Sequence, residues 1–463
     1  MFVAATMSLL FAVAPQGAGS GGNQSDPAVL SAGEHKKLQD NLRKYLDAER
    51  EYDFAEGIRG REKAAKARTK AKEKFEKIWR KADDKGALAS VTDLRTIFHN
   101  CFLRERPKHS YARLRVEKLD EGMSYALWAP KEYSVKKTFP LLLTLPSRVG
   151  DAWMTPEEYF KATWQGTEQL NGKLLHMPVI PDELELDPVP DYSREGAKKE
   201  EGSRNRIVLG TLGYLLKNYT VERSKVFLDC GRGSSGYGLR LATLFPDRFT
   251  GVILRDAIEV DDIRIGSLHG MPILMLETDQ NSKVVRDLEK RIEAKCPGTV
   301  TVLKAQGEYP HLESAPDIGT WLADKERNMT PQKVVLEPNH DSFKKSYWVD
   351  IVVAESLQRT GPDEKPRLVA TADRESNRIT IECQSVERFE LLLNDAIVDL
   401  DKEFTLVING KAVTAQRNRS FNDMKDRVVT RNDWDYLFPV RYRTSVPKDV
   451  EEGDGKDGDQ KGK

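Results

Sequence analysis

The sequence predicts an α/β protein: a mostly parallel sheet covered by helices, preceded by an N-terminal helical module and followed by a small C-terminal β domain. Three observations carry this expectation. Residues 139–146, FPLLLTLP, form an almost wholly apolar run, as a strand buried on both faces requires. From there to about residue 303, strand-like and helix-like segments alternate, the rhythm of a sheet built from crossover units. After Pro331 that rhythm gives way to short strand-like runs without crossover helices.

The elements follow in chain order. Residues 1–30 combine an apolar stretch, MFVAATMSLLFAVA, with a Gly/Ser-rich linker. This has the form of a signal peptide with a cleavage site at Ala12-Val13-Ala14, although no Lys or Arg precedes the apolar run. Export to a periplasmic or secreted location is the expectation, with a cytoplasmic protein carrying an apolar leader as the alternative. Residues 31–108 form the helical module. Leu38, Leu42, Tyr45 and Leu46 share one helical face, and Phe75, Ile78 and Trp79 mark the apolar side of a second helix over 61–82.

The α/β domain spans 109–330. Strands are predicted at 111–116, 123–130, 139–146, 174–180, 225–229, 250–254, 272–276 and 299–303. Helices are predicted at 155–164, where Thr155 caps and Pro156 fits the first turn, and at 203–219, 237–244 and 283–294. The β domain, 331–412, has strand-like runs at 347–354, 367–371, 378–383 and 403–409, with Asn409-Gly410 as a turn. Residues 413–446 give few clear elements, and the tail 447–463 lacks core formers.

Composition narrows the function classes. Lys plus Arg and Asp plus Glu each number 73, so a nucleic-acid partner is not expected. Residues 59–85 hold twelve Lys/Arg against five Asp/Glu, but without interleaved stacking aromatics they read as a solvated helix face. No apolar run reaches the length of a spanning helix, so no transmembrane anchor is expected. Four cysteines and seven histidines are scattered with no metal-ligand spacing, so neither a metal nor a cofactor is expected.

The chemistry concentrates in Asp229-Cys230-Gly231-Arg232-Gly233-Ser234-Ser235-Gly236-Tyr237-Gly238, between a buried strand and a helix. A phosphate loop fits poorly, because no Lys follows the glycines and several strands precede this one. A nucleophile elbow fits by position, and downstream Asp279 and His311 follow in the order that such a site needs. The residues 111–329 resemble the α/β-hydrolase superfamily, most closely its secreted esterase and prolyl-oligopeptidase-like groups. Gly236-Tyr237-Gly238 matches the end of their Gly-x-Ser-x-Gly-Gly-Tyr-Gly elbow, and Phe245-Pro246-Asp247-Arg248-Phe249 is also typical of them. The run Asn339-His340-Asp341-Ser342-Phe343 to Tyr347-Trp348 resembles a β extension of some bacterial members.

The departures shape the functional expectation. Laid on the motif without a gap, Gly231 is the first glycine and Gly233 holds the nucleophile position, with Ser234 one residue late and Ser235 where a glycine belongs. Gln280 occupies the family's acid position and Asp279 lies one place early. Leu145-Pro146-Ser147-Arg148 replaces the His-Gly that supplies oxyanion donors, and proline has no N–H. The leading expectation is a hydrolase-fold protein that has lost serine-triad catalysis and binds a small molecule, an ester, a peptide or a protein at the former mouth. Arg232, Ser235, Glu308 and Ser147 would line that mouth. The alternative is an active serine esterase or peptidase with Ser234, or Ser235, as nucleophile, His311 as base and Asp279 as its orienter. A further alternative is an interaction protein acting through its N-terminal helices and C-terminal β domain. Cys230, at the end of a core strand, reads as a buried thiol.

Overall fold

A computed structural model describes residues 27–99, 101, 112–119, 122–184, 186, 195–260, 263–357, 361 and 364–447. The expected leader over 1–26 and nearly all of the expected tail lie outside the described residues, as does part of the polar segment 181–202.

The chain opens with α1 (Ala32–Asp53), α2 (Gly57–Asp83) and α3 (Val91–His99). Ser31 and Glu34 cap α1 reciprocally, each side chain accepting from the other's backbone N–H. The predicted stripes are buried: Leu38, Leu42 and Tyr45 of α1 meet Phe75 and Trp79 of α2 in one cluster. The short α3 was not anticipated from the sequence. Its Asp93 carboxylate accepts from the Val29 N–H at 2.8 Å and contacts His35 Nε2 at 2.6 Å, tying the start of the module to its end.

The α/β domain contains β1 (Arg115–Lys118), β2 (Ser124–Trp128), β3 (Phe139–Leu145), β4 (Leu174–Pro178), β5 (Val221–Cys230), β6 (Gly251–Leu254), β7 (Ile273–Glu277) and β8 (Val300–Lys304). Their order across the sheet is β1-β2-β4-β3-β5-β6-β7-β8. β2 runs antiparallel to both neighbours, and from β4 to β8 the pairing is parallel. Alternate residues feed two cores. Leu141, Leu143, Leu145, Val226 and Leu228 face one side, while Leu142, Phe227, Ile253 and Leu274 face the other.

Helices α4 (Pro156–Thr163), α5 (Glu195–Asn218), α6 (Ser235–Leu244), α7 (Ser282–Lys295) and α8 (Ala315–Ala323) cover the sheet. α5 starts eight residues before the sequence expectation, through a stretch with three Glu, two Lys and one Ala, which favour helix and outweigh its two glycines. α8 escaped notice because it holds Pro316 and Gly319, yet a proline in the first turn forfeits no helical hydrogen bond.

The β domain is a two-sheet structure. It contains β9 (Lys333–Leu336), β10 (Val349–Ala354), β11 (Arg367–Asp373), β12 (Arg378–Gln384), β13 (Val386–Leu393), β14 (Phe404–Ile408) and β15 (Lys411–Ala415). After it come α9 (Phe421–Arg431) and β16 (Val440–Ser445). One sheet runs β9-β11-β12-β14-β15, and the other joins the short strand Lys345–Ser346 to β10, β13 and β16. Their facing residues, among them Leu368 and Ile381 from one and Phe389 and Leu391 from the other, share a core. Residues 413–446, read from sequence as nearly featureless, supply α9 and β16. Phe421, Met424 and Val428 of α9 complete the core of the N-terminal helices.

Candidate active site

The site is built where β5 ends. Asp229 and Cys230 close the strand, 231–234 form the turn, and α6 begins at Ser235. Gly233 has φ of +80°, the left-handed conformation that glycine alone adopts without steric cost. This is the sharp bend of an elbow, and it falls on the residue that the ungapped motif assigns to the nucleophile. A Cβ on Gly233 would lie 3.0 Å from the Arg148 Cβ and 3.7 Å from the Trp153 ring. Gly231 is needed for space: a Cβ there would stand 2.5 Å from the buried Tyr159 hydroxyl.

Neither neighbouring serine faces outward from the turn. Ser234 and Ser235 are both buried, and both hydroxyls donate to the Gly231 carbonyl at 3.1 Å. Two backbone N–H groups beside the bend are engaged as well. The Ser234 N–H donates to the Gly231 carbonyl at 3.1 Å, and the Arg148 N–H to the Arg232 carbonyl at 2.8 Å.

A short ribbon, Arg148–Val149 paired with Ala152–Trp153, folds over the bend. Trp153 anchors it, donating from Nε1 to the Leu184 carbonyl at 3.0 Å. The Trp153 N–H bonds the Asp182 carboxylate at 3.1 Å, so the start of the polar segment 181–202 is stitched to this cover.

Tyr309 plugs the space between the ribbon and the elbow. Its hydroxyl lies 2.7 Å from Ser147 Oγ and accepts from the Arg232 N–H at 2.5 Å. The Arg232 guanidinium sits 4.2 Å above the Tyr309 ring and donates to Asp256 at 2.6 Å. Asp256 and the ring together hold its charge, and Asp256 keeps Arg232 firmly protonated.

His311 is buried and itself left-handed, with φ of +67°. Its Nδ1 lies 3.2 Å from the Gly307 carbonyl, which can only accept, so this contact places the imidazole proton on Nδ1. Burial pulls the His311 pKa down, with Arg255 and Arg232 reinforcing it against the opposing pull of the Gly307 contact and Asp256, so the ring is neutral at neutral pH. The Asp279 carboxylate turns outward instead: it is 94% exposed and pairs with Lys304 at 2.5 Å. Glu308 is exposed, and its carbonyl accepts from the His311 N–H at 2.7 Å. The structure therefore brings Ser147, Arg232 and His311 around Tyr309, while Ser234 and Ser235 bond beneath the turn and Asp279 stands outside.

Sequence reading missed the residues under the elbow. Asp229 and Arg255 are both fully buried and form a two-point ion pair, with Nε to Oδ1 at 2.8 Å. Trp164 Nε1 donates to the same carboxylate at 2.9 Å, and Arg255 Nη1 donates to the Pro310 carbonyl at 2.9 Å. A charged residue directly after the apolar run Gly251–Leu254, and another at the end of β5, were the available signals. Asp256 and Asn281 complete the layer, the Asn281 amide donating to Asp256 at 3.3 Å.

The order of eight strands, with only β2 reversed between β1 and β4, and the bend after the fifth strand decide the architecture. The chain has an α/β-hydrolase-like core. Searches by family model and among curated sequences found no match. Solved structures do resemble it at low identity. A thermostable esterase is 17% identical, with a TM-score of 0.36 over 46% of this chain and 63% of the esterase, so the chain spans less than two thirds of that protein. A ferulic acid esterase is 13% identical, with a TM-score of 0.34 over 46% of this chain and 98% of its own. An S-formylglutathione hydrolase from Staphylococcus aureus is 14% identical, with a TM-score of 0.33 over 48% of this chain and 99% of its own.

Among the described residues, no group of three or more His, Cys, Asp or Glu is arranged to hold a metal ion. No described helix is long and apolar enough to cross a membrane. Cys230 is fully buried, and desolvation raises its pKa well above the usual thiol value, so it stays protonated.

Proposed function

We propose that this protein is an exported α/β-hydrolase-fold protein without serine-triad catalysis, related to secreted esterases and prolyl-oligopeptidase-like proteins, and that it works by binding. The observation that carries this reading is Gly233 at the left-handed bend, where an attacking hydroxyl belongs. Three further features support it. The Ser234 and Ser235 hydroxyls are turned to the Gly231 carbonyl, the Ser234 and Arg148 N–H groups are engaged within the chain, and the Asp279 carboxylate pairs with Lys304. A serine hydrolase needs a nucleophile, a base with its orienter and free oxyanion donors held together, and each of these is compromised here. The binding surface of this reading is the covered mouth around Ser147, Arg232 and Tyr309, and its ligand is a small ester-like or peptide-like molecule or a protein segment.

Fluorophosphonate labelling of the full chain, with mass mapping of adducts, tests this. No adduct on the folded wild type is expected under conditions that label an active control hydrolase. Stoichiometric labelling at Ser234 or Ser235 would overturn the reading and make one of them a working nucleophile. A Gly233→Ser variant extends the test, because an adduct at the new hydroxyl means that His311 and the surrounding turn still activate a residue at that position.

A further inference from the structure

A second recess lies away from the elbow, where three parts of the chain meet. It has a volume of about 360 Å³ and is lined by Arg248 from the α/β domain, Lys345 from the β domain, and Asp426, Arg427, Thr430, Arg431 and Tyr436 from α9 and the segment after it. Four of these seven residues are cationic and one is acidic.

The local acids are already committed. Asp247 pairs with Arg431 at 3.0 Å. Asp433 pairs with Arg327 at 3.0 Å and with Arg431 at 3.4 Å. Asp426 is largely exposed and meets Lys425 at 3.0 Å. Arg431 is thus neutralised, whereas the other three cations feel acids less closely: Asp247 and Asp433 at Arg248, Asp350, Asp247 and Glu390 at Lys345, and Asp423 and Glu390 at Arg427. Arg248 lies 5.7 Å from the Phe245 ring centroid, and among the described residues no acid stands within ion-pair distance of it. Lys345 meets Asp350 at a loose 3.8 Å and lies 5.2 Å from the Tyr436 ring. Arg427 donates from Nη2 to the Phe438 carbonyl at 2.6 Å, but its buried Nε has no hydrogen-bond partner.

Tyr436 gives an independent sign that something is received here. It is 2% exposed, and its buried hydroxyl has no hydrogen-bond partner. A buried donor left unmatched is costly, and so is a set of like charges taken out of water. Burial depresses the pKa of Arg248, of Lys345 and of Arg427, and Arg431 adds to the depression at Arg248 and Lys345. An oxyanion answers both demands: it accepts from Tyr436 and Arg427 Nε and neutralises the cluster.

We infer that this recess binds a tetrahedral oxyanion of the phosphate or sulfate type, held by Arg248, Lys345, Arg427 and Tyr436. The volume falls in the range of small-molecule sites, so the anion arrives either free or carried on a small molecule such as a sugar. Because all three parts of the chain contribute, binding would also brace them against one another.

Isothermal titration of the full chain at fixed ionic strength tests this, with inorganic phosphate, inorganic sulfate, glucose 6-phosphate and glucose as probes. Saturable binding of at least one anion is expected, with no binding of glucose. Arg248→Gln and Lys345→Gln should each weaken it at least tenfold while leaving the thermal midpoint within a few degrees. Tighter binding of glucose 6-phosphate than of phosphate assigns the anion to an organic carrier, and equal or weaker binding assigns it to the free ion. Absence of saturable binding by all three anions, or affinity unchanged in both variants, would overturn the inference. Arg427→Gln serves as a third variant if either of the others fails to fold.

Discussion

Arg255 and Asp229 face each other with both side chains fully buried, Nε to Oδ1 at 2.8 Å and Nη2 to Oδ2 at 3.1 Å. This pair joins the strand that feeds the elbow to the loop that carries His311, because the third guanidinium nitrogen holds the Pro310 carbonyl. The frame beneath the bend is therefore tightly made even though the serine hydroxyls above it are turned aside. The proposed loss of an attacking group and retention of the frame are compatible, since the frame's hydrogen bonds are needed for folding whatever the chemistry above.

Breaking this pair from one side is the costly change. Arg255→Met leaves the buried Asp229 carboxylate without its cation, with Trp164 Nε1 still donating to it, and should destabilise by about 3–5 kcal/mol. The double variant Arg255→Met/Asp229→Leu should be less destabilised than Arg255→Met alone, because the orphaned charge is gone. Urea denaturation of the four proteins in the cycle checks this, and a double variant that simply adds the two single losses would count against it.

A pH dependence should come from His176, which is fully buried on β4. Its Nε2 lies 3.0 Å from the Thr211 hydroxyl, which itself donates to the Ile207 carbonyl, so Nε2 carries the proton and Nδ1 has no hydrogen-bond partner. Burial lowers its pKa to about 3. Between that value and the ordinary one near 6.5, the unfolded chain binds a proton that the native state refuses. The contribution is therefore complete above pH 6.5 and declines as the pH falls toward 3, at up to about 1.4 kcal/mol per pH unit. A His176→Gln variant should show a flatter stability profile between pH 6.5 and 4 than wild type, by chemical denaturation at each pH. Parallel profiles would show that other groups set the dependence.

At the elbow, Gly233→Ala isolates the cost of a side chain at the bend. The left-handed backbone penalises an L-residue by roughly 1–2 kcal/mol, and the 3.0 Å approach to Arg148 Cβ adds to it. The thermal midpoint should fall by several degrees. A rise, as glycine-to-alanine changes give in ordinary right-handed backbone, would mean that the bend is not held as described.

The sequence made the α/β layer legible because its strands are short, apolar and regularly spaced: FPLLLTLP and KVFLD could hardly be surface segments. The elbow was legible for a different reason, since glycine spacing marks a bend directly, and Gly233 indeed adopts the left-handed conformation. Side-chain direction was not legible. That Ser234 and Ser235 bond beneath the turn while Asp279 reaches out to Lys304 depends on local backbone geometry that residue order does not encode. Tyr309 was passed over although it stands two residues before His311, because an aromatic in a loop has no fixed spacing to its partners. The strand VERFELLL was missed because charges interrupt its alternation, and α9 because its partners lie more than 300 residues earlier in the chain.

That distant packing gives the last prediction. Phe421, at the start of α9, lies 4.0 Å from the Trp79 ring, 5.3 Å from Phe75 and 5.8 Å from Phe98, measured between centroids. It is the aromatic on which α2 and α3 converge, and it is 7% exposed. Phe421→Ala removes this shared contact and should cost about 3–5 kcal/mol, as large-to-small changes in aromatic cores do. Phe54, 75% exposed at the end of α1, is the control, and Phe54→Ala should stay within about 0.5 kcal/mol of wild type. Undocking has a second readout, because α2 carries many Lys and Arg residues that trypsin can cut once the helix is released. Faster tryptic cleavage within 57–83 in Phe421→Ala, with the α/β domain still resistant, is the expected pattern. If α2 is cut no faster than in wild type, the N-terminal helices hold together without α9, and the 31–108 module stands as an independent unit.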